Sequence, residues 1–254
     1  MTTDKMTTDK TGRIVWHDLF TSDRRRSMAF YERIAGWRYE IEHATDFAWG
    51  GGEKDFVLAL SDNEAGAGFA ETPPALPNGW IAYVEVADVD ASAAAAKRLG
   101  GTIVRDPFEV PGVGRNALLR DPHGALIGIS LSRHDFPVPE RQFGVEVYLS
   151  AAPAFPMEFY AQLFGWEAGP LSDGEQDGRC IAGPSGEKVA LYLPDEPPSG
   201  TQAIWIPSLK VTEPQAALDD AKTLGATVLG QGKPSDGHAF LRAPDGAAIC
   251  LPKA

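Results

Sequence analysis

One segment near the start of the chain places a carboxylate between two aromatic side chains. Trp16, Asp18 and Phe20 are spaced two residues apart within Ile14–Phe20, a run that predicts a β-strand. Side chains two apart in a strand point to the same face, so aromatic rings should flank Asp18. Burial raises the pKa of a carboxyl group, which suits a general base. The alternative is a strand-end aspartate that bonds to a neighbouring turn.

A second predicted strand, Ile81–Val86, carries a similar pattern. Tyr83 and Glu85 share one of its faces by the same alternation. Glu85 is therefore a second candidate catalytic carboxylate, beside Asp18. The alternative is a partly exposed strand residue near basic side chains.

The chain contains an internal repeat. Met28–Trp37 aligns with Met157–Trp166 at an offset of 129 residues, with identical Met, Phe, Tyr, Gly and Trp. Later matches have offsets of 125 and 122, so the second repeat has shorter loops. We expect a disordered or appended tail over residues 1–12, a domain over 13–133, a linker over 134–141 and a second domain over 142–254.

Each repeat divides again into two modules with the same order of elements. In the first module, the strand at Ile14–Phe20 precedes a helix that Asp23 caps and Gly36 ends. The order recurs from Ile81, with an alanine-rich helix over Ala91–Leu99. The pattern predicts an α+β fold of four βαβββ modules. A single module would leave an apolar sheet face uncovered, so the modules should pair into two incomplete barrels with the helices outside.

Composition argues against several classes of protein. The 254 residues include 35 acidic and 23 basic ones, a net charge of −12, which disfavours binding to nucleic acid or to an anionic membrane. Apolar runs are shorter than the roughly 18 residues of a membrane span, and the start lacks the apolar core of a secretory signal. Cys180 and Cys250 form neither a CxxC nor a zinc-type spacing. We expect a cytoplasmic protein, monomeric or homodimeric.

Together these features resemble the vicinal oxygen chelate superfamily, which includes glyoxalase I, bleomycin-resistance proteins and extradiol dioxygenases. The resemblance rests on the four modules, the FYxxLFGW-like helix ends, the aspartate-rich helix start at Val86–Asp90 and the Asp-Pro-x-Gly turn at Asp121–Gly124. It extends over nearly the whole chain after residue 13. It implies two glyoxalase-like incomplete-barrel domains, each enclosing a cup between two paired modules.

Members of this superfamily that use a metal hold it in the cup with His, Glu or Gln side chains from first and last strands. Here the first-strand positions carry Trp16, Ile81, Val145 and Ile206, and the last-strand positions carry Gly128 and Cys250. The other two last strands, placed at Phe56–Leu60 and Lys188–Leu193, contain no acid and no histidine. His17 is adjacent to a ligand position, but alternation points it away from the cup unless a bulge intervenes. We expect no metal and no other cofactor.

The two cups are not equivalent in sequence. Repeat two has Val147 at the Asp18 position and Lys210 at the Glu85 position, so the first cup is the expected site. His238 takes the place of Asn116, either as a hydrogen-bonding or general-base group or as a surface histidine. The candidate ligand-binding residues are Trp16, Phe20, Phe47, Trp49, Tyr83, Asn116 and His238.

These observations predict a metal-independent protein that binds a small aromatic or apolar molecule in the first cup. The acidic cup also allows a cationic ligand. The protein would either sequester its ligand or carry out proton-transfer or lyase-type chemistry; an enzyme would resemble a glyoxalase-like lyase or a hydroxylase or dioxygenase. The alternatives are a metal-dependent glyoxalase I-like lyase or extradiol dioxygenase-like oxidoreductase, and an interaction protein whose cups are filled by side chains.

Overall fold

The computed structural model describes residues 10–45, 53–73, 76–171, 178–197, 201–229 and 238–252. The first repeat contains β1 (Ile14–Thr21), α1 (Arg24–Ala35), β2 (Arg38–Thr45), β3 (Glu53–Ser61), β4 (Glu64–Glu71), β5 (Gly79–Glu85), α2 (Val89–Arg98), β6 (Thr102–Val110), β7 (Gly114–Arg120) and β8 (Leu126–Ser132). The second contains β9 (Glu146–Ser150), α3 (Met157–Phe164), β10 (Glu167–Pro170), β11 (Arg179–Ala182), β12 (Lys188–Leu193), β13 (Ala203–Ile206), α4 (Pro214–Thr223), β14 (Thr227–Val228), β15 (His238–Arg242) and β16 (Ala248–Pro252). This order confirms the predicted α+β fold of four βαβββ modules.

Helix α1 begins and ends where its sequence predicts. The Asp23 carboxylate accepts a hydrogen bond from the backbone N–H of Arg26 at 3.1 Å, which satisfies one free donor of the first turn. Gly36 follows the last turn with φ of 67°, in the left-handed region that favours glycine. The chain therefore turns directly into β2.

In the described residues, the strands of the first repeat form one eight-stranded sheet in the order β2-β3-β4-β1-β5-β8-β7-β6. Strand β1 pairs in parallel with β4 and antiparallel with β5. The last strand of the first module is therefore Glu64–Glu71, and the prediction of Phe56–Leu60 as that last strand was wrong. The sequence EAGAGFAE of β4 is rich in glycine and alanine, so it lacks the apolar alternation by which strands are recognised.

The second repeat has a more divided sheet. Its described strands form a five-stranded sheet, β10-β11-β12-β9-β13, and a three-stranded sheet, β14-β15-β16. An isolated bridge between Ser208 and Cys250 links the two. In the first repeat the equivalent strands, β5 and β8, pair directly from Tyr83 to Glu85.

The two repeats pack against each other through the faces that carry their helices. Helix α1 packs on α4, and α2 packs on α3. One buried core joins the second module to the third, and another joins the first module to the fourth. The helices are therefore outside the cups, as predicted, but they are enclosed between the repeats.

Within the described residues, none of the helices combines the length and apolar character that crossing a bilayer requires.

Buried polar side chains cross the boundary between the repeats. His17 Nε2 lies 3.0 Å from Glu146 Oε1, and the His17 ring stacks on Phe143 at 3.8 Å between centroids. His17 and Glu146 occupy equivalent positions in the two repeats, at the offset of 129. His17 thus points away from the cup, into the contact between repeats.

A second buried polar contact between the repeats involves two tyrosines of the second repeat. The hydroxyls of Tyr148 and Tyr160 donate to Asp121 Oδ2 of the first repeat at 2.6 and 2.8 Å. Trp205 Nε1 donates to the Tyr160 hydroxyl at 2.8 Å. The Trp205 indole and the two tyrosine hydroxyls each have a hydrogen-bond partner in this network, and the network forms only when both repeats are in place.

We expect Tyr160→Phe to destabilise the whole protein, since it removes an acceptor from Trp205 and a donor to Asp121. The loss of unfolding free energy should be about 1–3 kcal/mol. Urea denaturation followed by tryptophan fluorescence and far-UV circular dichroism measures it, and both signals should still shift together. Tyr39→Phe is the matched control: its half-buried hydroxyl donates to Met28 within one repeat, so a smaller loss is expected. Equal losses in the two variants would contradict this assignment.

Candidate active site

The candidate site lies on the face of the eight-stranded sheet directed away from the helices, here called the first cup. Alternation along β1 places Leu19 in the helix-side core and Phe20 on the cup side. Phe20, Ile81, Tyr83 and Leu118 form one buried cluster, against which Trp16 packs. The structure thus brings together Trp16, Phe20 and Tyr83, as the sequence predicted.

Asp18 is the buried carboxylate of this aromatic face. Its side chain is 7% exposed, and Oδ1 accepts a hydrogen bond from Trp16 Nε1 at 2.9 Å. Burial raises the pKa of Asp18 to about 6, although hydrogen bonds from Trp16 and from Tyr83 and the charge of His17 act to lower it. The pKa of Tyr83 is raised well above its ordinary range. Burial is the largest cause, and the charge of the nearby Asp18 is the second. The tyrosine therefore remains a hydrogen-bond donor at neutral pH.

Two glycines make room for the aromatic rings of the cup. Gly128 lies opposite Tyr83 in the strand pairing, and a Cβ at Gly128 would overlap the Tyr83 ring. Gly68 lies opposite Asp18, where a Cβ would overlap the Phe56 ring and approach Asp18 Oδ1. Any larger side chain at these positions would displace a ring.

Glu85 faces the cup as predicted, but both oxygens of its carboxylate accept hydrogen bonds from Ser132. Glu85 is 6% exposed, and its two oxygens accept from the backbone N–H of Ser132 at 2.9 Å and from the Ser132 hydroxyl at 2.7 Å. These bonds attach the end of β8 to the end of β5. The arrangement favours a structural role over proton transfer.

The remaining predicted site residues are dispersed. Asn116 is buried and lies opposite Ser130, which lies opposite Glu85, so these polar residues form a row along one end of the first cup. His238 begins β15 in the second repeat, opposite Pro252, and belongs to a different sheet. Phe47 and Trp49 lie outside the described residues.

Arg105 is a cup residue that sequence reasoning missed. It lies opposite Leu118 of the buried cluster, and its guanidinium lies 3.7 Å above the centre of the Phe108 ring. Burial lowers the pKa of Arg105, and its charge acts to lower that of Tyr83. The pairing of β6 shifts register on both sides of Arg105, so simple alternation could not have assigned its face.

The described cup residues do not fit a divalent metal ion. Such an ion needs three or four converging oxygen or nitrogen side chains. In the first cup, the ligand positions implied by the family resemblance hold Trp16, Ile81 and Gly128. In β4, the last strand of the first module, Gly68 lies opposite Asp18. Among the residues that the structure describes, no three His, Cys, Asp or Glu side chains come together. Within the described part of the chain, Asp18 therefore does not belong to a metal-binding cluster.

The second cup is lined differently. Val147, Leu149, Ile206 and Cys250 form its buried cluster. Burial raises the pKa of the Cys250 thiol to about 12, so it remains protonated at neutral pH. None of these four residues carries a carboxylate, and Val147 occupies the position equivalent to Asp18.

Known proteins resemble both the sequence and the fold. "Putative glyoxylase CFP32" of Mycobacterium tuberculosis is 35% identical over 121 residues, 48% of this chain and 44% of the relative, so the match spans less than half of that protein. "Anthracycline biosynthesis protein DnrV" of Streptomyces peucetius is 25% identical and covers 91% of this chain and 88% of its own. The Mn(II)-bound glyoxalase from Novosphingobium aromaticivorans superposes with a TM-score of 0.56 at 15% identity, covering 95% of this chain and 82% of that one. At that identity the likeness concerns the fold alone.

Family sequence models match each repeat separately. The glyoxalase/bleomycin resistance protein/dioxygenase superfamily matches residues 13–129, and a glyoxalase-like domain matches residues 146–252. The two matches lie in the two repeats, and the described fold has the modules that the resemblance implied. The chain belongs to the vicinal oxygen chelate superfamily, as a tandem of two glyoxalase-like domains.

Proposed function

We propose that this protein binds a small aromatic or apolar molecule in the first cup and that Asp18 acts there as an acid–base group, without a resident metal ion. The observation that carries the proposal is a buried carboxylate between aromatic side chains, held by the Trp16 indole and the Tyr83 hydroxyl. Aromatic walls with few polar groups are the usual composition of a small-molecule site.

The pKa of Asp18 supports the acid–base role. At about 6, it leaves both protonation states populated near neutral pH, which is the condition for efficient proton transfer. The Trp16 indole donates to Oδ1 of the carboxylate, and the Tyr83 hydroxyl is a second donor that favours its ionised form. Trp16 is only half-buried, so a ligand that stacks on its indole comes close to Asp18.

The metal-independent part of the proposal rests on the side chains present. Placing a metal ligand at Gly128 or Gly68 would require the rings of Tyr83 or Phe56 to move. These rings complete the aromatic walls, so the same two positions that are unsuited to a metal favour an apolar ligand. Proton transfer then depends on Asp18, and a protein without turnover would act by sequestering its ligand.

The relatives support an aromatic ligand. DnrV, which matches 91% of the chain, is named for anthracycline biosynthesis, and anthracyclines are polycyclic aromatic molecules. We therefore use a simple hydroxylated aromatic compound, 2-naphthol, as the first probe of the cup.

The raised pKa of Asp18 predicts a specific dependence of stability on pH. Because the folded protein favours the protonated form, the wild type loses stability as pH rises from about 3.8 to about 6. Relative to the wild type, Asp18→Asn should gain about 3 kcal/mol of unfolding free energy over that interval, and the difference should be constant above it. Urea denaturation between pH 4 and pH 8 measures this. Exposed Asp62→Asn is the control and should show no such gain near pH 6.

Binding of 2-naphthol tests the site itself. It should raise the melting temperature of the wild type in proportion to ligand excess, and Trp16→Ala should abolish that rise. Affinity should fall as pH drops through about 6, because ionised Asp18 accepts the hydroxyl of the probe more strongly than protonated Asp18 does. Isothermal titration calorimetry of Asp18→Asn should show no such pH dependence.

Two controls accompany this measurement. Phe136→Ala removes an aromatic ring that is 71% exposed and lies outside the cup, and it should bind 2-naphthol as the wild type does. Treatment with EDTA should leave the affinity unchanged, and metal analysis should find no stoichiometric metal ion. A stoichiometric metal ion whose removal abolishes binding would overturn the metal-independent assignment.

A further inference from the structure

The first cup contains a cation that the proposed function does not yet use. Trp16, Tyr83, Gly128, Leu118 and Arg105 lie opposite one another in five successive strands, β1, β5, β8, β7 and β6. This row runs across the cup, with an indole at one end and a guanidinium at the other. An aromatic ligand stacked along the row would meet Arg105 at its far end.

The backbone of β6 is irregular on both sides of Arg105. The pairing of β6 with β7 shifts register between Ile103 and Arg105 and again between Arg105 and Phe108. Such bulges re-aim side chains and are frequent beside binding sites. Val104 packs on the buried cluster of the cup, and the next residue, Arg105, is also directed to that side by its pairing with Leu118.

The Arg105 guanidinium packs against the protein instead of extending into solvent. It stacks on the Phe108 ring at 3.7 Å, and its side chain is half-buried. Stacking fixes the plane of a guanidinium, and a planar guanidinium matches the geometry of the two oxygens of a carboxylate.

The two carboxylates of the cup already have hydrogen-bond donors of their own. Glu85 is bonded to Ser132 through both oxygens, and Asp18 accepts from Trp16 and Tyr83. In a chain of net charge −12, a partly desolvated cation in the cup is the local feature that discriminates between ligand charges. By the repeat offset of 125, the second repeat has Gly230 in place of Arg105, so this feature belongs to the first cup.

We propose that Arg105 selects aromatic ligands that carry a carboxylate, which it binds at the far end of the row from Trp16. The inference rests on the proposed function, because it requires an aromatic ligand in the first cup. It replaces the cationic ligand that the acidic residues alone suggested.

Two probes of the same shape test the selection. At pH 7.5, isothermal titration calorimetry compares 2-naphthoate with its neutral isostere 2-naphthamide. The wild type should bind 2-naphthoate about tenfold more tightly, the size of a charge-assisted hydrogen bond. In Arg105→Gln the preference should fall to about one while the affinity for 2-naphthamide stays nearly constant. Arg105→Lys should retain part of the preference, since it keeps the charge but loses the planar guanidinium.

Control variants separate this inference from the proposed function. Arg115→Gln removes a guanidinium of β7 that pairs with Asp90 of α2, and it should keep the wild-type preference. If both probes bind equally well and Trp16→Ala weakens both, the first cup is the site and the role of Arg105 is wrong. If neither probe binds the wild type, the proposed function fails as well. An unchanged preference in Arg105→Gln would overturn the assignment directly.

Discussion

Each sheet of this protein has two apolar faces, and its own helices can cover only one of them. The helix-bearing faces of the two repeats cover each other, and their contact buries His17 with Glu146 and Asp121 with Tyr148 and Tyr160. Among the described residues, the buried cluster on each opposite face is formed by one repeat alone. These faces must be covered by their own side chains or by a bound molecule, and this constraint makes the cups the natural place for a ligand.

The two cups meet this constraint in different ways. The second cup is lined by Val147, Leu149 and Ile206, a conventional apolar cluster. The first cup contains a carboxylate in the place of Val147, and glycine at Gly128 leaves space for the ring of Tyr83. Burying Asp18 costs stability at neutral pH, since the ionised form is desolvated. A costly group retained in one repeat and absent from the other is typical of a functional site.

Much of this arrangement could be predicted from the sequence because it depends on short-range periodicity. The repeat offsets indicated the tandem fold, and alternation along two strands correctly placed Trp16, Asp18, Phe20 and Tyr83 together. The same reasoning failed where the pattern was absent or interrupted. Strand β4 has too few large apolar residues to show alternation, and the register shifts in β6 concealed the face of Arg105.

Contacts between distant segments could not be predicted from the sequence, for a different reason. The bonds from Ser132 to Glu85 depend on the register between β5 and β8, which no local pattern specifies. The pairing of His17 with Glu146 depends on how the repeats dock. In the structure, both oxygens of Glu85 accept hydrogen bonds from Ser132 and so attach two strand ends.

The proposed site depends on Asp18, a buried carboxyl group whose pKa is raised to about 6. Titration of carbon-13-labelled aspartate side chains by NMR, with Asp18→Asn used to assign the resonance, tests it most directly. We expect the Asp18 carboxyl carbon to titrate at about 6 and its resonance to be absent from the variant. A midpoint at the ordinary aspartate value of 3.8 would show a solvated carboxylate and contradict the proposed role of Asp18.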